Sequence, residues 1–185
     1  MKKIIYTSII LIVGYFFTTS IYDELHKDKT PGKAKRLACQ KKVTTFERAF
    51  DDLEVSLAQK EIESNKIVFH SDAEKATYMK SQLFQHISLK QTNKVFREMI
   101  EKYRVNNKKI DKNFIYSYYI YENDKKDPGK KSKKSKLYAG YVVFEVKNEN
   151  NKMIYKIQID FLDNKGADID QTIRCAIKSF MTYNK

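Results

Sequence analysis

The densest run of one chemistry in the chain is Lys125-Lys126-Asp127-Pro128-Gly129-Lys130-Lys131-Ser132-Lys133-Lys134-Ser135-Lys136. Lys125, Lys126, Lys130, Lys131, Lys133, Lys134 and Lys136 bring seven ammonium groups together against one carboxylate. Such a cluster can dock on phosphates of lipid headgroups, lipopolysaccharide or nucleic acid. Near an anionic membrane each lysine contributes about 1 kcal/mol. The run holds no arginine to grip phosphate or base with a two-pronged fork. Its binding would therefore be nonspecific and weakened by salt. Pro-Gly and charge self-repulsion predict a long mobile loop between two strands. A solvated tip that keeps hairpins from associating is the competing reading.

Two cysteines, Cys39 and Cys175, make the next candidate. They form no Cys-x-x-Cys pair, and no histidine is spaced to complete a zinc site. In an exported chain an even, minimal count favours a disulfide. The alternative is two free core thiols. A bridge here would close a loop of more than 130 residues, for which chain entropy gives about 4–5 kcal/mol. It would join the first long helix to the last. Leu37-Ala38-Cys39 superficially suggests a lipoprotein cleavage box, but Arg36 stands where that box needs an apolar residue.

Other clusters are weaker. Tyr116, Tyr118, Tyr119 and Tyr121 could supply an amphipathic contact face, although strand alternation sends half of them to the core. The stretch Asp160 to Asp170 has the acidity of a calcium loop, yet it carries Lys165 at a ligand position and lacks the distal glutamate. A turn followed by a helix cap accounts for it, and no metal or cofactor is expected. His26, His70 and His86 are scattered without metal-ligand spacing. His70 with a carboxylate and a serine could build a hydrolase, but no motif selects them, and the chain has neither a phosphate loop nor a nucleophile elbow. No enzyme is expected.

The elements that must hold these groups begin with an apolar segment. Lys2-Lys3 precede nineteen uncharged residues centred on Ile9-Ile10-Leu11-Ile12-Val13, followed by Thr18-Thr19-Ser20. That is the layout of a signal peptide cut after Ser20, and roughly 20 such residues can also span a bilayer. Residues 1–22 are thus a signal peptide or a membrane anchor. Seven Lys/Arg between Asp23 and Lys42 run against the positive-inside rule, but the first ten residues after the segment are net −1. Export is the reading, with the chain extracytoplasmic in the periplasm or at the cell surface, anchored or released.

Residues 23–32 read as a polar tether, and 33–185 as a single α+β domain. From Lys33 the 4-3-4-3-4 spacing of Cys39, Val43, Phe46, Phe50, Leu53 and Leu57 predicts a helix. Lys66 to Phe69 reads as a short strand. Ser71-Asp72-Ala73-Glu74 has the form of a capping box, predicting a helix with Ala76, Met79, Leu83 and Ile87 inward. Thr92 to Tyr103 predicts another. Phe114–Tyr121, Leu137–Lys147 and Met153–Leu162 read as strands, the last two joined at Asn148-Glu149-Asn150-Asn151. Asp168 with Gln171 can cap a final helix bearing Ile169, Ile173, Ala176, Ile177 and Phe180. The expected fold packs these helices on one face of a three- to four-stranded antiparallel sheet, with a C-terminal helix.

Composition agrees with that outline. Hydrophobic residues make 42% and aromatics 13%, enough for one core rather than a disordered chain. A charge of +13, from 36 Lys+Arg against 23 Asp+Glu, bears on partners and not on fold. The expected function is an exported, envelope-associated, non-enzymatic module that binds another envelope protein. The alternatives are an anion-binding surface protein acting through the lysine loop on a membrane surface or polyanion, and a hydrolase with no recognisable motif.

Overall fold

Tyr116 and Tyr118 bring the two layers of the molecule together. The Tyr116 hydroxyl donates to Glu61 Oε2 (2.8 Å), and the Tyr118 hydroxyl to Asn93 Oδ1 (2.6 Å). One strand thereby meets two helices on the same face. The computed structural model describes residues 36–105, 110–130 and 132–184. The apolar segment 1–22, the tether 23–32, His26 and Lys131 lie outside them. Among the described residues no helix is long and apolar enough to cross a membrane.

The elements are β1 Thr45–Ala49, α1 Asp52–Ser64, β2 Phe69–Glu74, α2 Leu89–Glu101, β3 Ile115–Glu122, β4 Gly140–Lys147, β5 Met153–Phe161 and α3 Ile169–Thr182. The fold is α+β with a mixed five-stranded sheet in the order β1-β5-β4-β3-β2, larger than the antiparallel sheet of three or four strands the sequence predicts. Its edges are β1 and β2; the short strand expected at Lys66–Phe69 forms instead at Phe69–Glu74, overlapping only at Phe69. β1 pairs antiparallel with β5, and β2 pairs parallel with β3, Phe69 opposite Tyr116 and Glu74 opposite Tyr121. A parallel neighbour needs a long crossover, here the connection that carries α2.

Both edges replace expected helices. The seam from Cys39 to Leu57 is not continuous: Ala38–Gln40 is a single 3-10 turn, Thr45–Ala49 is extended, and α1 starts only where Asp51 Oδ1 accepts the Glu54 N–H (3.0 Å). Phe46 and Phe50 alternate onto one side of β1, and Leu53 is 73% exposed. The buried face of α1 is instead Val55, Ala58 and Ile62, with Gln59 and Glu61. Ser71–Glu74 caps no helix, because pairing with β3 satisfies that backbone instead, and only a short turn at Leu83–Gln85 follows.

The remaining elements lie close to expectation. β3 alternates strictly, with Tyr116, Tyr118, Ile120 and Glu122 buried. Their face carries an aromatic layer in which Phe96 stacks on Tyr118 at 4.9 Å, and Phe180 meets Phe144 at 5.5 Å and Tyr155 at 4.9 Å. These rings come from α2, α3 and the three central strands, and α1 meets the same face at Tyr116, so the three helices among the described residues share one side. Asp168 precedes α3, but its carboxylate does not cap that helix. It accepts the N–H groups of Leu162 (2.7 Å) and Asp163 (3.3 Å), closing the β5–α3 turn.

Cys39 and Cys175 are disulfide-bonded, with α-carbons 6.1 Å apart. The bridge joins the 3-10 turn, not a long helix, to α3. Cys175 lies in the middle of α3. It is buried beneath the chain before β1, where Gln40 donates to Ser179 Oγ (2.8 Å).

Candidate functional site

The sheet face away from the helices follows from strand parity. It presents His70, Asp72 and Glu74 from β2, then Ser117, Tyr119 and Tyr121 from β3, and Tyr141, Val143 and Glu145 from β4. Lys156, Gln158 and Asp160 continue it on β5, and Phe46 and Arg48 on β1. The described residues place no helix on it. Its centre is aromatic. Tyr121 and Tyr141 stack at 4.5 Å, Tyr119 meets Tyr141 edge-on at 6.3 Å, and Tyr138 lies 6.5 Å from Tyr141. Burial pushes the Tyr141 phenol well up, and the neighbouring Tyr119 and Tyr121 phenols add to it. The rings together form an apolar platform with hydroxyl rims. Of the four tyrosines singled out in the sequence, Tyr116 and Tyr118 belong to the core, while Tyr119 and Tyr121 stand on this face.

The lysine run connects β3 to β4 beside these rings. It is built of successive turns, with Asp127 N–H donating to the Asp124 carbonyl (3.2 Å), Lys130 N–H to the Asp127 carbonyl (3.0 Å) and Lys136 N–H to the Lys133 carbonyl (3.1 Å). A 3-10 turn spans Lys134–Lys136. Two lysines are held by neighbouring side chains. Lys130 sits 5.0 Å from the Tyr121 ring centre and donates to the Tyr121 hydroxyl (2.9 Å) and to Asn123 Oδ1. Lys125 donates to Asn164 Oδ1 (2.9 Å). Lys126, Lys133, Lys134 and Lys136 are exposed, and no ion pair found among the described residues involves them.

Two buried carboxylates, which sequence reasoning missed, anchor the base of the loop. Glu122 accepts the N–H groups of Gln82 (2.7 Å), Leu83 (2.9 Å) and Ala76 (3.3 Å). Asp124 accepts those of Thr77 (2.6 Å) and Tyr78. Burial works to raise the Glu122 carboxyl, but these N–H groups outweigh it and hold the group below its usual range. The same balance lowers Asp124. For Glu122 the signal in the sequence was a charge at an inward position of the β3 alternation, and Asp124, past the end of the strand, had none.

Gly140 fixes the other end. A Cβ there would lie 2.1 Å from the Tyr121 carbonyl oxygen and 2.3 Å from the Phe161 ring, so only glycine lets β4 begin against both neighbours.

Register sets His70 opposite Ser117, and Ser117 opposite Glu145. Glu145, however, pairs with Lys156 at 2.7 Å, and no hydrogen bond links His70 to Ser117 among the described residues. His86 is exposed in a separate segment. In the acidic stretch, Asp163 Oδ1 accepts the N–H groups of Lys165 (2.7 Å) and Ala167 (3.2 Å), which is a turn. No group of three or more metal-ligating side chains is found among the described residues.

No known family model matches the sequence, and neither does any curated protein. Among solved structures the chain is similar to a dodecamer of a PelC point variant from Paraburkholderia phytofirmans, with 9% identity and a TM-score of 0.34, over 77% of this chain and 98% of that one. A likeness that weak carries no argument. The disulfide is consistent with an extracytoplasmic location, where such bonds form and persist.

Proposed function

We propose that this chain is an exported, envelope-associated, non-enzymatic module that binds another envelope protein through the helix-free face of its sheet. The observation that supports it is the cluster of Tyr119, Tyr121, Tyr138 and Tyr141 on that face. Rigid tyrosines give large contact area at little entropy cost, with hydroxyls for the rim. The segment 1–22 would deliver the domain to the envelope, anchored or cut after Ser20. Fractionation with N-terminal sequencing tests delivery: a mature start at Ile21 means cleavage, and recovery of the whole chain from the soluble cytosol sinks export.

Binding is tested by crosslinking the chain in its native envelope and capturing it at moderate salt. One protein species should co-purify with wild type and with a loop variant carrying Lys126, Lys133, Lys134 and Lys136 as Gln. It should be lost with Tyr119→Lys, whose side chain lies on the face. Recovery indifferent to Tyr119 would refute the assignment.

A second reading rests on the four exposed loop lysines. In it the loop docks on anionic lipid, lipopolysaccharide or nucleic acid. Salt-sensitive retention on a polyanion column, lost in the loop variant, would favour it.

A further inference from the structure

Among the described residues β1 is an edge strand whose outward backbone has no partner, and its five residues are complementary to themselves. Asp160 N–H donates to the Thr44 carbonyl (3.0 Å), and Phe50 N–H to the Ile154 carbonyl (2.8 Å). In an antiparallel ladder, successive residues alternate between facing the partner and facing away. Phe46 and Arg48 therefore also turn their backbone groups toward β5, while Thr45, Glu47 and Ala49 turn theirs outward. No hydrogen bond to those outward groups is found among the described residues. Edge strands are ordinarily guarded by proline, lysine or a bulge. Thr45-Phe46-Glu47-Arg48-Ala49 is short and carries two charges, Arg48 and the inward Glu47, but it contains no proline or lysine and pairs with β5 without interruption.

We propose that β1 pairs antiparallel with the β1 of a second copy of this chain, about a two-fold axis through Glu47. In that register Glu47 faces Glu47, Thr45 faces Ala49, and Phe46 faces Arg48. The outward N–H and C=O groups of Thr45, Glu47 and Ala49 all find partners on the other chain, and the two sheets become one. On the helix-free side each guanidinium gains a second ring. Arg48 already lies 4.7 Å from the centre of its own Phe50, and the Phe46 of the second copy takes the opposite flank, a cation–π arrangement. Phe46 and Phe50, 63% and 46% exposed, lose water together.

The facing glutamates do not oppose the register, because each is turned inward. Glu47 Oε1 accepts the Tyr155 hydroxyl (2.5 Å) and the Ser179 hydroxyl (2.7 Å), and Oε2 accepts Gln40 Nε2 (3.0 Å). An arbitrary strand could also use the free edge. The small-to-small and aromatic-to-cation match about one residue is what selects a second copy, as an isologous interface requires. With +13 on each chain, long-range repulsion opposes the pair, and salt screens it. Salt should therefore strengthen this association, opposite to its effect on polyanion binding.

The test is the protein mass of the full chain in detergent, by light scattering with the detergent contribution subtracted. Wild type should approach twice 21.9 kDa with rising concentration and salt. Phe46→Lys, which sets lysine against Arg48, should remain single, as should Ala49→Pro, which removes an outward N–H without touching the β5 ladder. Phe46→Glu should keep the pair, since Glu then faces Arg48. Unchanged melting temperatures for the Phe46 variants show that the fold is intact. A monomeric wild type, a dimer that survives both Phe46→Lys and Ala49→Pro, or a Phe46→Glu variant that behaves like Phe46→Lys would each overturn the proposal.

Discussion

Cys39 and Cys175, 136 residues apart in sequence, have their α-carbons 6.1 Å apart and their sulfurs bonded. The bond fastens the segment before β1 to the middle of α3. Beside it Gln40, Glu47, Tyr155 and Ser179 form a closed polar network. The start of the described chain, an edge strand, a central strand and the last helix are thus held at one point.

Denatured, non-reduced protein should accordingly contain no titratable thiol. The long loop gives a chain-entropy value of about 4–5 kcal/mol, and Cys39→Ser should lower stability by roughly 2–5 kcal/mol in urea unfolding. Two thiols in material from the envelope would contradict the bond.

Replacing Lys126, Lys133, Lys134 and Lys136 with Gln should flatten the salt dependence of any polyanion binding and leave the melting temperature unchanged. Lys130→Gln should behave differently, lowering stability modestly, because Lys130 holds Tyr121 and Asn123. If all five positions act alike in both assays, the separation of Lys130 from the other four is wrong.

Acid should unfold the base of the loop first. Glu122 and Asp124 have folded pKa values below their ordinary 4.5 and 3.8. Their contribution is therefore present above those ordinary values and lost as pH falls through the depressed ones. Glu61 has the opposite sign: burial raises it, and the Tyr116 hydroxyl, which donates to it at 2.8 Å, only partly offsets that. Its contribution is full below 4.5 and lost as pH rises through the folded value. Urea midpoints against pH should show Glu122→Gln flattening the acid limb, while Glu61→Gln costs least at neutral pH. An acid limb unchanged in Glu122→Gln would argue against the anchor.

Gly140→Ala should be among the most damaging small substitutions. Its new methyl meets a backbone carbonyl that cannot swing aside, so a loss of at least about 1–3 kcal/mol is expected. The measurement is the thermal midpoint, and a shift no larger than that of Gly129→Ala, which meets only the Asp127 side chain, would refute it.

Composition and periodicity made the central strands, α2 and α3 legible, because burial there writes itself as alternation or as a stripe. The cysteine pair was also legible, since an even count in a chain read as exported leaves few other uses. The edge strands were not, apart from a short run at Lys66–Phe69 that meets β2 only at its first residue. The spacing from Cys39 to Leu57 resembles a helical seam only because a turn, a strand and a helix start happen to follow one another. Ser71–Glu74 has a cap's side chains, yet its backbone pairs with β3. A strand at a sheet edge is chosen by a neighbour far away in sequence, and local propensity cannot outvote that pairing. The roles of Glu122 and Asp124 were decided the same way, by which N–H groups the folded chain brings within reach. The lysines show the division most simply: seven stand in one loop of the sequence, and only the tertiary structure engaged Lys125 and Lys130, because a tyrosine and two asparagines stood where they could bind.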